Sequence, residues 1–100
     1  MVKTLDEEGS DQVTPNLPVW TIYILYSVSS GRLYVGIAKD PNKRLAKHNA
    51  GKGAKYTRFG RPWTISFREC ADTHGDALRR ERALKKLSRK AKLILAGLAA

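Results

Sequence analysis

The chain has a single cysteine, Cys70, in 100 residues, so no disulfide can form within it, and the reducing cytoplasm is its natural compartment. Long hydrophobic runs are missing too: no apolar stretch approaches the ~20 residues that a membrane-spanning helix needs. The opening residues, MVKTLDEEGSDQ, are acidic and lack the basic-then-apolar order of a signal peptide. Beyond them acids are scarce. Nine Asp and Glu face nineteen Lys and Arg, and four of the nine (Asp6, Glu7, Glu8 and Asp11) fall before residue 20, where Lys3 is the only base. Residues 20–100 therefore hold eighteen basic side chains against five acids, within a chain of formal net charge +10. Positive charge at that density repels itself and implies a polyanionic partner, nucleic acid first, with an acidic membrane surface or acidic protein behind it.

What is present fits one globular domain: 42% hydrophobic and 28% charged residues, in a length with no room for a second core. Residues 1–18, acidic, with Pro15 and Pro18 and no periodicity, are predicted to be a flexible tail, and 19–100 the folded unit. Alternation begins at Trp20. Trp20, Ile22, Ile24, Tyr26 and Val28 share one face of a strand, and Thr21, Tyr23, Leu25 and Ser27 the other. In a second run Leu33, Val35 and Ile37 alternate with Arg32, Tyr34 and Gly36. A two-residue turn at Ser30-Gly31 pairs Ser29 with Arg32 and Ser27 with Tyr34. Parity then puts Tyr23 and Tyr34 on the same face, the one without the aliphatic stack. Gly36 on that face leaves the backbone open to close approach.

Asp40 as N-cap and Pro41 as first helical residue open a helix over 41–50 that Gly51 ends. Arg44 and His48, four apart, share one of its faces, and Leu45 anchors it. The loop GKGAKYTRFGRP, 51–62, interleaves Lys52, Lys55, Arg58 and Arg61 with Tyr56 and Phe59. Together with Lys43 and Lys47 on the preceding helix, these are candidate contacts for a nucleic-acid backbone and its bases. Trp63, Ile65 and Phe67 alternate with Thr64, Ser66 and Arg68 in a third strand. Asp72-Thr73 caps a helix over 74–87, and Ser88 opens another through Leu98. Ala77, Leu84, Ala91 and Leu98, with Leu87 and Ile94 between them, form a stripe predicted to cover the sheet. The fold class is α+β, a small three-stranded antiparallel sheet with helices packed around it.

Glu81 is the anomaly on that stripe. It lies three residues after Leu78 and three before Leu84, where a carboxylate must be paired or hold a metal. It is either a structural salt bridge, to a neighbouring arginine or to Arg44, or a ligand for Mg²⁺ or Mn²⁺. Such an ion can bind through one carboxylate, several waters and substrate phosphate oxygens. Tyr23, Tyr34, Arg44, His48 and Glu81 together offer the parts of phosphodiester cleavage: a metal for charge on the leaving oxygen, a guanidinium for the phosphate and a base for water. Tyrosine is a weak base at its ordinary pKa of ~10, and His48, titrating nearer neutrality, competes for that role. His74 and Cys70 have no partners at metal-ligand or triad spacing and read as structural.

Ile22-Tyr23, Tyr34-Val35-Gly36 and Arg44, in this order, resemble the core of the GIY-YIG nuclease family, and the likeness runs from Trp20 to Leu95. It looks closest to the small stand-alone members. The resemblance implies a Mg²⁺-dependent nuclease with Tyr23 and Tyr34 as water-activating or orienting residues. Arg44 would stabilise the phosphate, His48 would be auxiliary, and Glu81 would hold the metal. Thr21 stands where the family has glycine and Val35 where it has isoleucine. Many members carry an asparagine after the metal-binding glutamate, and no asparagine follows Asn49 here. The leading expectation is thus a metal-dependent endonuclease acting on DNA ahead of RNA, monomeric, with no membrane partner and no small-molecule cofactor. The alternatives are a non-catalytic nucleic-acid-binding module on the same fold and a basic adaptor for an acidic protein.

Overall fold

A computed structural model describes residues 19–99, so the stretch 1–18 read as an acidic tail lies outside the described residues. The unbroken alternation from Trp20 makes β1 (Trp20–Ser27), and the other strands assemble on it. β2 (Leu33–Ala38) and β3 (Trp63–Ala71) flank it, both antiparallel, in the order β2-β1-β3. A central strand is covered on two sides. Ile22 and Ile24 join Val35, Ala77 and Leu84 in one core cluster, while Tyr23 and Leu25 join Trp63 in a second, on the other face. The face that lacks the aliphatic stack is therefore a core in its own right, built on aromatic rings.

The hairpin register differs from expectation by two residues. Leu25, not Ser27, opposes Tyr34, and Tyr23 opposes Gly36. Ser27 is the reason. Its buried hydroxyl accepts from the Ser30 amide (3.1 Å) and the Ser30 hydroxyl (2.7 Å) and donates to the Gly60 carbonyl (2.6 Å), which organises a wider turn than Ser30-Gly31 alone. Val28, expected in the strand, is left exposed in that turn. A slip of two preserves side-chain parity, so Tyr23 and Tyr34 remain on one face. In β3 a second irregularity changes faces: Ile24 opposes Phe67 but Leu25 opposes Ile65, leaving Ser66 as the extra residue of a bulge. Trp63, Ile65 and Phe67 consequently do not share a face. The first two pack with Tyr23 and Leu25, and Phe67 packs with Ile22 and Ile24.

Each helix begins where its cap residue predicts. Asp40 accepts from the Lys43 amide at the start of α1 (Pro41–Asn49), Thr73 from Asp76 at α2 (His74–Lys85), and Ser88 from Ala91 at α3 (Arg89–Leu95). α2 covers the aliphatic face through Ala77 and Leu84, and α1 the aromatic face through Leu45 and His48. The stripe from Ala77 to Leu98 does not cover the sheet throughout. α2 ends at Lys85, two non-helical residues precede Ser88, and the helical phase is lost; α3 buries no residue, and Leu87, Ile94 and Leu98 are exposed.

Candidate active site

The site begins at a glycine. A Cβ on Gly36 would sit 2.6 Å from the Tyr23 hydroxyl and 3.0 Å from the Tyr34 ring, so only glycine lets the Tyr23 side chain lie across β2. The open backbone expected there is occupied from within the protein. Lying so, the Tyr23 hydroxyl meets His48 Nε2 at 3.1 Å, and the other ring nitrogen, Nδ1, meets Thr57 Oγ1 at 2.7 Å. Tyr23, His48 and Thr57 are all fully buried. A second glycine, Gly53, lies against the imidazole so closely that any Cβ would strike it.

These contacts fix the protons. Thr57 donates its one hydroxyl hydrogen to the Ala54 carbonyl at 2.8 Å, so toward His48 it can only accept. Nδ1 therefore carries the imidazole hydrogen, and Nε2 presents its lone pair to Tyr23, whose phenol donates. Burial, with the Arg44 charge adding to it, lowers the His48 pKa from its ordinary 6.5 and keeps the ring neutral at pH 7. Burial also pushes the Tyr23 phenol up to about 12; Tyr34 adds to the rise, a charge and hydrogen bond from Arg44 oppose it, and the Glu81 charge raises it further.

Around the Tyr23 hydroxyl the fold thus gathers four other groups: His48 and Arg44 from α1, Tyr34 from β2 and Glu81 from α2. α1 and α2 lie on opposite faces, and both pack against β2, the edge strand. Tyr34 and Arg44 are partly exposed, and the Glu81 side chain is 16% exposed. Glu81 pairs with Lys85 one turn on, at 3.4 Å, rather than with an arginine. Such a pair on one helix contributes only about 0.3–0.5 kcal/mol, too little to account for a sheltered carboxylate.

Among the described residues no three His, Cys, Asp or Glu side chains gather, so a cage of the zinc type has no ligand set. A lone sheltered carboxylate suits a hard cation such as Mg²⁺ or Mn²⁺, which takes its remaining ligands from waters and phosphate oxygens. Asn49 does not stand in for the missing asparagine, because its amide is held by the Trp63 backbone at 2.6 and 3.0 Å.

Of the expected nucleic-acid contacts, Lys43 and Lys47 line a cavity of about 140 Å³ with Arg44, Asp40 and Ala38, immediately beside the site. Lys52, Lys55 and Arg58 are exposed. Arg61 is folded back, its Nε donating to the Arg58 carbonyl at 3.0 Å and its guanidinium lying against Gly51. Tyr56 stacks near Tyr34, at a centroid distance of 6.2 Å and an angle of 24°, and half of it remains exposed. The loop that carries these residues contains a 3₁₀ turn, Lys55–Arg58, and is tied down through Ser27, Asn49 and Thr57. Cys70 is exposed at a strand end, and the His74 ring lies tilted against Trp20, their centroids 4.5 Å apart. Thr57 and Gly53 were not visible as site residues in the sequence, because only this turn brings them onto a ring that stands 25 residues from its tyrosine.

Comparison with known proteins places this geometry. The model of the GIY-YIG catalytic domain matches residues 19–94. A UPF0213 protein of Staphylococcus saprophyticus is 49% identical over 74 residues, 74% of this chain and 89% of its own length. One from Staphylococcus aureus is 46% identical over the same shares. Among solved structures, the solution NMR structure of a protein from E. faecalis superposes with a TM-score of 0.53 at 35% identity, covering 79% of this chain and 84% of that one.

Proposed function

The chain belongs to the GIY-YIG nuclease family, and from that premise we propose that it is a metal-dependent endonuclease that hydrolyses phosphodiester bonds in DNA. The observation that carries this reading is the gathering of Tyr34, Arg44, His48 and Glu81 around the Tyr23 hydroxyl, beside a basic cavity. Glu81 would hold the divalent cation, Mg²⁺ or Mn²⁺, which when bound stabilises charge on the scissile phosphate and the leaving oxygen. Arg44 places its guanidinium on the phosphate. Tyr34, partly exposed, orients the attacking water.

The base is a couple rather than a single residue. Tyr23 is no phenolate at neutral pH, and both ring nitrogens of His48 are taken, by the Tyr23 hydroxyl and by Thr57. With both rings buried, the attacking water would enter the cluster with the substrate and meet His48 only through Tyr23. Water passes a proton to the Tyr23 oxygen while Tyr23 passes its own to His48 Nε2; the resulting hydroxide attacks phosphorus and the imidazolium keeps its Nδ1–H on Thr57. His48 is thus the proton's destination and Tyr23 its conductor, with Thr57 a positioning residue.

The test is a panel of labelled single-stranded, duplex, flapped and junction DNAs, with matching RNA, incubated with Mg²⁺, Mn²⁺ or EDTA. Wild type is expected to give metal-dependent products. Glu81→Gln is expected to give none, with binding unchanged. Binding without cleavage in either metal would replace this reading with the binding module.

A further inference from the structure

A second cavity, of about 220 Å³, opens beside Tyr34, lined by Leu33, Tyr34, Val35, Tyr56, Lys85 and Lys92. Its composition is unlike that of the basic cavity beside Arg44. Leu33, Tyr34 and Val35, consecutive in the edge strand β2, line it together with Tyr56, so the cavity lies at the sheet edge. Two lysines, one from α2 and one from α3, complete its lining. The rings of Tyr34 and Tyr56 are within 24° of parallel, their centroids 6.2 Å apart, so they present a displaced aromatic surface rather than a closed stack. A third cation, Arg32, stands 5.0 Å from the Tyr56 ring centre.

We infer that this cavity takes one unpaired nucleotide of the substrate strand, its base against Tyr56 and Tyr34 and its phosphate between Lys85 and Lys92. The inference rests on the nuclease reading for its substrate. Three features select this occupant. The wall matches the flat apolar face of a base, which every base offers regardless of sequence. The two lysines match a phosphate, and no acidic side chain lines the cavity. Lys92 carries its charge there, and Lys85, paired with Glu81 at 3.4 Å, is more than half exposed and free to share its ammonium with a phosphate. Tyr34 also belongs to both the cavity and the catalytic cluster, so the stacked base is on the nucleotide next to the scissile phosphate. A base inside a duplex has both faces covered by its neighbours and cannot enter. The enzyme should therefore cut beside an unpaired nucleotide, at a flap, a gap or a loop, in preference to continuous duplex.

The experiment measures binding by fluorescence anisotropy in EDTA, where nothing is cut, with dye-labelled blunt duplex, flapped duplex and a flapped duplex whose junction nucleotide is abasic. DNA and RNA versions of each distinguish the source of the nucleotide. Wild type should bind the flapped form about tenfold tighter than the blunt form, the scale of one base stacked on an aromatic side chain. The abasic form should lose that advantage without any change to the protein. Tyr56→Ala should lose it too, while Tyr56→Phe and Tyr56→Trp keep it. Equal affinity for flapped and blunt DNA, or an abasic form bound as tightly as the intact flap, overturns the cavity's role. In that case Glu81-dependent cleavage of duplex would leave the nuclease reading standing. Conversely, a flap preference that obeys these controls, without cleavage in any metal, supports the cavity and overturns the nuclease.

Discussion

His48 shows how a residue's neighbours decide its chemistry. On an exposed helix it would titrate near its ordinary 6.5; sealed between Tyr23, Thr57 and Gly53 beside Arg44, it is held neutral. Because its folded pKa is lowered, the unfolded chain takes up the proton first as pH falls. The stability it contributes is complete above pH 6.5 and is lost below it, toward the folded value. Thermal or urea unfolding across pH 5–8 should show this loss, and His48→Gln should flatten it. The acid limb of cleavage should also lie below 6.5, since the couple works only with a neutral ring. Thr57→Val keeps the shape but removes the acceptor for Nδ1–H. It should cost about 1–3 kcal/mol by denaturant unfolding. Cleavage should fall on the order of a hundredfold, because the tautomer that receives the Tyr23 proton is no longer held.

Among the elements, the two C-terminal helices look alike in sequence, both basic with spaced aliphatics, yet only α2 is core. Leu84 is fully buried against Ile22, Ile24 and Val35, whereas Ile94 on α3 is 47% exposed. Leu84→Ala should therefore destabilise by about 2–5 kcal/mol. Ile94→Lys should stay within about 0.5 kcal/mol of wild type, and chemical denaturation of the pair checks both. A comparable loss for Ile94→Lys would mean that α3 is packed in solution. The hairpin illustrates the same point from the other direction. One hydroxyl, on Ser27, sets the width of the turn and ties it to Gly60 in the loop that supplies Thr57, so the strand that carries Tyr23 is bonded directly to the loop that seats its histidine.

For the molecule as a whole, the excess of base over acid in residues 20–100 should govern affinity more than any one contact. Binding to a duplex oligonucleotide should weaken linearly in log–log form with added salt, as counterions return to the phosphates. Replacing the exposed Lys52 or Lys55 by Ala should lower that slope by about one each and weaken all sequences alike. Arg61→Ala should change the slope less, because its guanidinium, though exposed, is already held by the Arg58 carbonyl against Gly51. Titrations at four or five salt concentrations distinguish these cases.

Much of this protein was determined by its sequence alone. Period-two alternation gave the strands, Asp40, Thr73 and Ser88 gave the helix starts, and parity put Tyr23 and Tyr34 on one face despite a register two residues off. These are local properties, set by neighbours a few residues apart. The sheltered setting of Glu81 was legible too, from its place among Ala77, Leu78 and Leu84 on one helix. Tertiary structure alone decided what depends on contacts between distant segments. It put the bulge at Ser66 that turns Phe67 to the other face, ended the apolar stripe as core at Leu84, and brought Thr57 and Gly53 onto His48. It also decided that a buried ring, neutral and fixed in one tautomer, would stand behind Tyr23, because a proton's position follows from the geometry of its partners, which no spacing in the chain specifies.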